Sequence, residues 1–258
     1  MKLTVFMTLA GLALFASIAF GQSFVEMKTI SGGTFVPLYG SDSTGVTVTS
    51  FKLDVYPVTN AEFLTFVKEN AKWQRSQVLG LFADDNYLSQ WAGDLQLDPQ
   101  MNPDSPVTSV SWFAAKAYCE CEGKRLATMD EWEFAAMSSP TAANAQEDSV
   151  FNQWIIEGYE TPRTSIKKIG RNPQNFWGIH DLHGLVWEWT SDFNSVLISG
   201  ESRKDGDNDS SLFCAGGAVG ASDLMNYAAF MRYAFRGSIK ANFSVRTLGF
   251  RCAQNVDE

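Results

Sequence analysis

Two carboxylates, Asp181 and Glu188, stand in the stretch of this chain where aromatic bulk and turn-forming glycines are densest, Asn175 to Asp192. An extended backbone from Val186 onward would put Trp187 and Trp189 on one face and Val186, Glu188 and Thr190 on the other. The indoles would then anchor a core and leave Glu188 free to bind. A turn at Gly184 would bring Asp181 and exposed carbonyls towards Glu188, an all-oxygen donor set of the kind calcium takes. The same residues allow another arrangement, with Asp181 capping a turn and Glu188 paired with an arginine.

Other chemistry is thinly represented. The chain has two histidines, His180 and His183. His183 reads as a turn residue beside the carboxylates, and His180 has no partner at metal-site spacing. No serine elbow or well-placed base suggests a nucleophilic triad. Downstream of Gly216 and Gly217, the residues Asp223, Asn226, Tyr227, Arg232, Tyr233 and Arg236 form an arginine- and tyrosine-rich run suited to a recognition groove. The spacing of Tyr227, Phe230 and Tyr233 equally suits a packed helix face.

Four cysteines, Cys119, Cys121, Cys214 and Cys252, allow three pairings. Cys119 and Cys121 fall two apart in a predicted helix and point away from each other, so each must seek Cys214 or Cys252 or remain a buried thiol. The compartment suits disulfides. Lys2 followed by an uncharged stretch from Leu3 to Phe20 and small residues before Gln22 reads as a signal peptide over residues 1–21. No later uncharged run is long enough to span a bilayer, so an exported protein without membrane insertion is expected. With formal net charge −9 and no basic cluster, the composition argues against nucleic acid and anionic membranes.

The elements that must position these residues are short strands, a few capped helices and long loops. Met27 to Phe35 reads as strand and tight turn, and Val46 to Leu53 alternates like one strand. Thr59 with Glu62 and Thr128 with Glu131 are capping boxes that open helices. Ser111 caps a third, which Gly123 closes. Trp73 to Gln100 is an ordered irregular insertion. The segments 138–149 and 200–211 are the least ordered.

Taken in order, Gly32 to Phe35, Val55 to Phe63, Pro106 to Trp112, Ala117 to Cys119, Gly123 to Leu126, Glu131 to Phe134, Asp181 to Trp189, Gly216-Gly217 and Leu248 to Cys252 resemble the formylglycine-generating enzyme (sulfatase-modifying factor) family. The insertion at Trp73 to Asp94 also resembles the subgroup associated with copper nitrite reductases. The resemblance implies one α+β domain over residues 22–258 with limited regular secondary structure, a formylglycine-generating-enzyme or C-type-lectin-like fold. It implies structural Ca2+ at Asp181, Gly184, Val186 and Glu188. Asn152 matches one ligand of a second family calcium site whose loop is shortened here. A Cys119–Cys252 disulfide is implied too, which leaves Cys121 with Cys214 by elimination.

At the family's two copper(I) cysteines this chain has Ala221 and Asn226, and Ala218 replaces the serine after the glycines. Soft thiolates are what copper(I) selects, so no catalytic residue, no copper and no formylglycine generation are expected. The reading that follows is an exported accessory protein, expected to be a monomer, that binds a protein or small ligand. The alternative is a diverged oxidoreductase with a non-cysteine metal site that acts in protein maturation.

Overall fold

The computed structural model describes residues 25–37, 45–160, 166–194 and 224–256, without the side chains of 224–226. The signal-peptide segment, the Gly-Gly pair, Ala218, Ala221, Asp223, Cys214 and the loop at 200–211 lie outside the described residues, as does the side chain of Asn226.

The first strand pair is β1 (Met27–Ile30) and β4 (Phe51–Asp54), antiparallel with Met27 opposite Asp54. Between them β2 (Gly33–Phe35) and β3 (Val46–Val48) form a separate hairpin. The stretch from Val46 to Leu53, expected as one strand, is therefore broken at Thr49-Ser50. Gly32 marks the reason: a Cβ there would lie 2.3 Å from the Val48 carbonyl oxygen and 2.7 Å from the Ser50 nitrogen, so two backbones cross where only glycine fits.

The capped helices form where the cap chemistry places them. Thr59 and Glu62 satisfy each other's backbone N–H groups at the start of α1 (Asn60–Glu69), and Thr128 and Glu131 do the same for α3 (Met129–Ala136). Ser111 accepts from the Ala114 N–H to open α2 (Trp112–Cys121), and Gly123 at φ +68° turns the chain beyond it into β5 (Arg125–Leu126). After α4 (Ser149–Glu160) come β6 (Trp187–Glu188), α5 (Leu224–Ser238), β7 (Leu248–Gly249) and β8 (Cys252–Asn255).

The main sheet runs β1-β4-β8-β5, and every pairing in it is antiparallel. Because side chains alternate across a strand, this sheet separates two cores. Phe51, Leu53 and Ala253 face one with Ile30, Trp132 and Phe134. Cys252 faces the other with Phe63, Trp91, Tyr118, Trp189 and Phe250. The insertion after α1 belongs to that second core through Trp73, Tyr87, Leu88 and Trp91, and the Tyr87 hydroxyl donates to the Trp73 carbonyl at 3.0 Å.

Cys119 of α2 and Cys252 of β8 are joined by a disulfide within this core. Cys121 is an exposed free thiol with the Asn70 amide 4.0 Å from its sulfur. Its expected partner, Cys214, is not among the described residues. The segment 138–149 departs from expectation: Ser138, Ser139 and Ala145 are buried, and the Ala145 N–H donates to the Met137 carbonyl at 2.9 Å, so this stretch is folded against the end of α3.

Candidate functional site

The segment 170–189 lies across α3 and the end of the main sheet, held by its own side chains. Asp181 sits at φ +60°, a conformation short polar residues tolerate better than most, and its carboxylate accepts from the backbone N–H groups of Gly170 and Asn172. Asn172 in turn donates to the His183 carbonyl at 2.8 Å and accepts at its own carbonyl from His180 Nδ1 at 2.8 Å. His180 stacks on Tyr56 with centroids 5.0 Å apart. Both histidines are thus bound into the backbone turns.

Glu188 is not free. β6 pairs in parallel with β7, and side chains on both of its faces meet protein. On one face Trp189 donates from Nε1 to the Val110 carbonyl at 3.0 Å. On the other, Glu188 accepts from Arg251 Nε and Nη2, both at 2.8 Å, and from Trp132 Nε1 at 2.8 Å. Arg251 also donates to the carbonyls of Asp54, Val55 and His180.

This is the turn-cap and arginine-pair arrangement of Asp181 and Glu188. Gly184, at φ +79°, and buried Val186 lie on the backbone between them. The donor set as it stands does not fit calcium, because a buried guanidinium already holds both Glu188 oxygens and would sit beside any divalent ion placed there. Asn152 donates from Nδ2 to the Gln146 carbonyl at 2.9 Å.

The expected groove at α5 requires a correction. Arg232, Tyr233 and Arg236 are buried and not presented at the surface. Arg232 donates to both oxygens of Glu133 on α3, through Nε at 2.9 Å and Nη2 at 2.6 Å, and Arg236 Nη1 donates to Glu133 Oε1 at 2.7 Å. Both guanidiniums lie over the Trp132 ring, at 5.7 and 4.7 Å from its centroid. Burial would push the Glu133 carboxyl up, but the two guanidiniums outweigh it and hold the group down to about 2. Phe230 is buried as well, and of the expected groove Tyr227 alone among the described side chains is exposed. The arginines lock α5 onto α3.

His183 is the hub beside that network. Its Nε2 bonds the Ala136 carbonyl at 2.8 Å and its Nδ1 meets the Tyr159 hydroxyl at 3.3 Å, while Tyr159 also accepts from Arg232 Nη1. Trp132, Phe151 and Trp154 present ring edges to it at 6.0 to 6.3 Å. Burial, reinforced by the Arg232 charge, lowers its pKa to about 4.

Next to His183 lies a cavity of about 380 Å3. The first turns of α4 form one wall, through Val150, Phe151 and Trp154, and Pro140, Pro173 and Leu182 lie among the rest. Leu182 belongs to the Asp181 to Trp189 motif, but no motif marks the α4 residues. The available signal is the helical spacing of Phe151, Ile155 and Tyr159, which faces them into the protein and leaves Val150 and Trp154 at the surface.

Thiol ligands for copper are scarce. Among the described residues Cys119 and Cys252 are bonded to each other and Cys121 stands alone.

The α+β fold and its order of motifs define the class of protein. A family model described as "Sulfatase-modifying factor enzyme 1-like domain" matches residues 19–256, and the chain belongs to that family. It is similar to the "Inactive C-alpha-formylglycine-generating enzyme 2" of Bos taurus, 31% identical over 221 residues that cover 66% of this chain and 71% of that one. It is also similar to the "Formylglycine-generating enzyme" of Streptomyces coelicolor, 29% identical over 279 residues, covering 93% and 87% of the two chains. The "Serine/threonine-protein kinase pkn1" of Chlamydia pneumoniae is 27% identical over 253 residues; the match covers 90% of this chain and spans only 38% of that protein's length. Among solved structures, PvdO from Pseudomonas aeruginosa superposes with a TM-score of 0.50 at 17% identity, over 89% of this chain and 94% of that one.

Proposed function

We propose that this chain is an exported sulfatase-modifying-factor family protein that has lost copper-dependent oxidation and acts as a binding protein for a partner or small ligand. The cysteine inventory carries this reading. Of four cysteines, two are consumed in the Cys119–Cys252 bond, and Cys121 lies exposed on α2. The positions that match the family's copper cysteines are Ala221 and Asn226. Copper(I) held by two thiolates, the donors it selects, has no counterpart in that set. Similarity to a relative named as inactive supports the same direction, although active enzymes are among the similar proteins too.

Export rests on the uncharged segment from Leu3 to Phe20, and a disulfide between elements 133 residues apart suits an oxidising compartment. No helix among the described residues is long and apolar enough to cross a membrane.

The test is an oxygen-consumption and peptide-mass assay of the purified protein with copper and a cysteine-containing sulfatase peptide. No turnover above a metal-only control is expected. Formation of formylglycine would overthrow the binding-protein reading.

A further inference from the structure

The cavity beside α4 has a chemistry of its own. At about 380 Å3 it falls in the range of small-molecule sites, and its lining is mostly apolar. Phe151 and Trp154 stack with centroids 5.8 Å apart and an interplanar angle of 17°, giving one continuous aromatic wall.

The polar groups around it are unevenly spent. Ser138 Oγ and Asn175 Nδ2 both donate to the Ala135 carbonyl, and Asn172 Nδ2 donates to the His183 carbonyl. Val150 and Phe151 give their N–H groups to Asp148. These donors are committed to the protein. The carboxylates of Asp148, exposed at the start of α4, and Asp181, buried, also line the cavity, while no lysine or arginine among the described residues does. His183, the one basic side chain among the described lining residues, has its pKa lowered to about 4 by burial. The two carboxylates can accept from a ligand's donors, and an anionic ligand would meet their charge with no lysine or arginine among the described lining residues to answer it. An ammonium group is favoured by the carboxylates and by the faces of the aromatic rings alike.

We propose that this cavity binds a small organic cation, an ammonium group on an apolar, ring-sized body, with the body against Phe151 and Trp154 and the ammonium towards Asp148. This names the ligand class for the binding role and rests on that reading.

Calorimetric titration of the full mature protein with phenethylammonium, benzyltrimethylammonium, phenylethanol and phenylpropionate tests it. At least one cation should bind about fivefold or more tightly than the alcohol, the scale of a cation–aromatic contact, and the carboxylate should not bind. Asp148→Asn keeps an acceptor for the α4 N–H groups, so it should weaken cation binding while leaving the alcohol and the melting temperature unchanged. Trp154→Ala should weaken both classes. If neither cation binds, if all four probes bind equally, or if both variants bind the cations as the wild type does, the proposal is wrong. Oxygen turnover in the copper assay would defeat the binding-protein reading whatever the titrations give; silence in that assay with no cation binding would defeat the ligand class alone.

Discussion

Glu188 and Arg251 grip each other through both carboxylate oxygens at 2.8 Å, with 3% and 1% of their surfaces exposed. Each residue lies in the strongest motif of its own region, and the pair joins those motifs across 63 positions of sequence. The glutamate is a fastening between the β6 segment and the edge of β8.

Removing one partner of a buried ion pair strands the other charge. Glu188→Ala should cost about 3–5 kcal/mol in urea unfolding, and Glu188→Gln, which keeps one acceptor, should cost less. Chelator should leave the wild-type melting temperature in place, because Arg251 occupies the carboxylate that a calcium ion would need. A fall in melting temperature with chelator, restored by calcium and absent in Glu188→Gln, would show instead that the pair opens to take the ion.

Glu133, Arg232 and Arg236 join α3 to α5, so these arginines should report on folding before binding. Arg232→Ala leaves one guanidinium on Glu133 and removes the donor to Tyr159, with an expected loss of about 3 kcal/mol or more. Glu133→Ala should be worse, since it strands two buried positive charges. Chemical denaturation decides this; an Arg232→Ala protein of wild-type stability would contradict the packing of α5 on α3.

The pH dependence follows from His183. Its folded pKa, about 4, lies below the ordinary 6.5, so between those values the unfolded chain binds a proton that the folded chain refuses. Stability from this group is complete above pH 6.5 and is lost as pH falls towards 4, by up to about 3 kcal/mol. Asp54 works in the opposite sense. Burial raises it from 3.8 to about 6 despite Lys124, so the folded state takes up its proton first on acidification. The comparison must therefore be between wild type and His183→Gln at pH 7.5, 5.5 and 4.5. The wild type should lose more stability than the variant on acidification; parallel curves would remove His183 from the account.

The Cys119–Cys252 bond closes a span of 133 residues. A Cys119→Ala, Cys252→Ala double variant should lose about 2–5 kcal/mol, the range for constraining so long a loop in the unfolded chain. Peptide mapping without reductant should find that bond and no Cys121–Cys252 link.

Local chemistry was readable in the chain. Both capping boxes, the Ser111 cap and the turn at Gly123 depend on residues within four positions of each other, and each occurs where its spacing places it. Partners across the fold were not. That Glu188 would meet an arginine was one of two readings of its surroundings, but nothing near Glu188 identifies Arg251. Nothing near Arg232 identifies Glu133, 99 positions away. An arginine-rich helix face looks the same in sequence whether it faces solvent or a buried carboxylate. The alanine, serine and asparagine of 138–149 concealed the fold of that segment for a related reason: its order comes from burial against α3 and α4, not from propensity.

The placement of β8 has a consequence for biogenesis. It comes last among the strands in chain order, yet it lies between β4 and β5 inside the main sheet, and its Cys252 completes the bond to α2. Until that strand leaves the ribosome, β4 lacks one neighbour and β5 has no strand partner among the described residues. The amino-terminal portion must wait, with the inner faces of both cores uncovered, and assembly around such distant contacts is intrinsically slow. Among the described strands the main sheet is completed by the last to be made, and the covalent tie between α2 and that sheet can form only after Cys252 has been added.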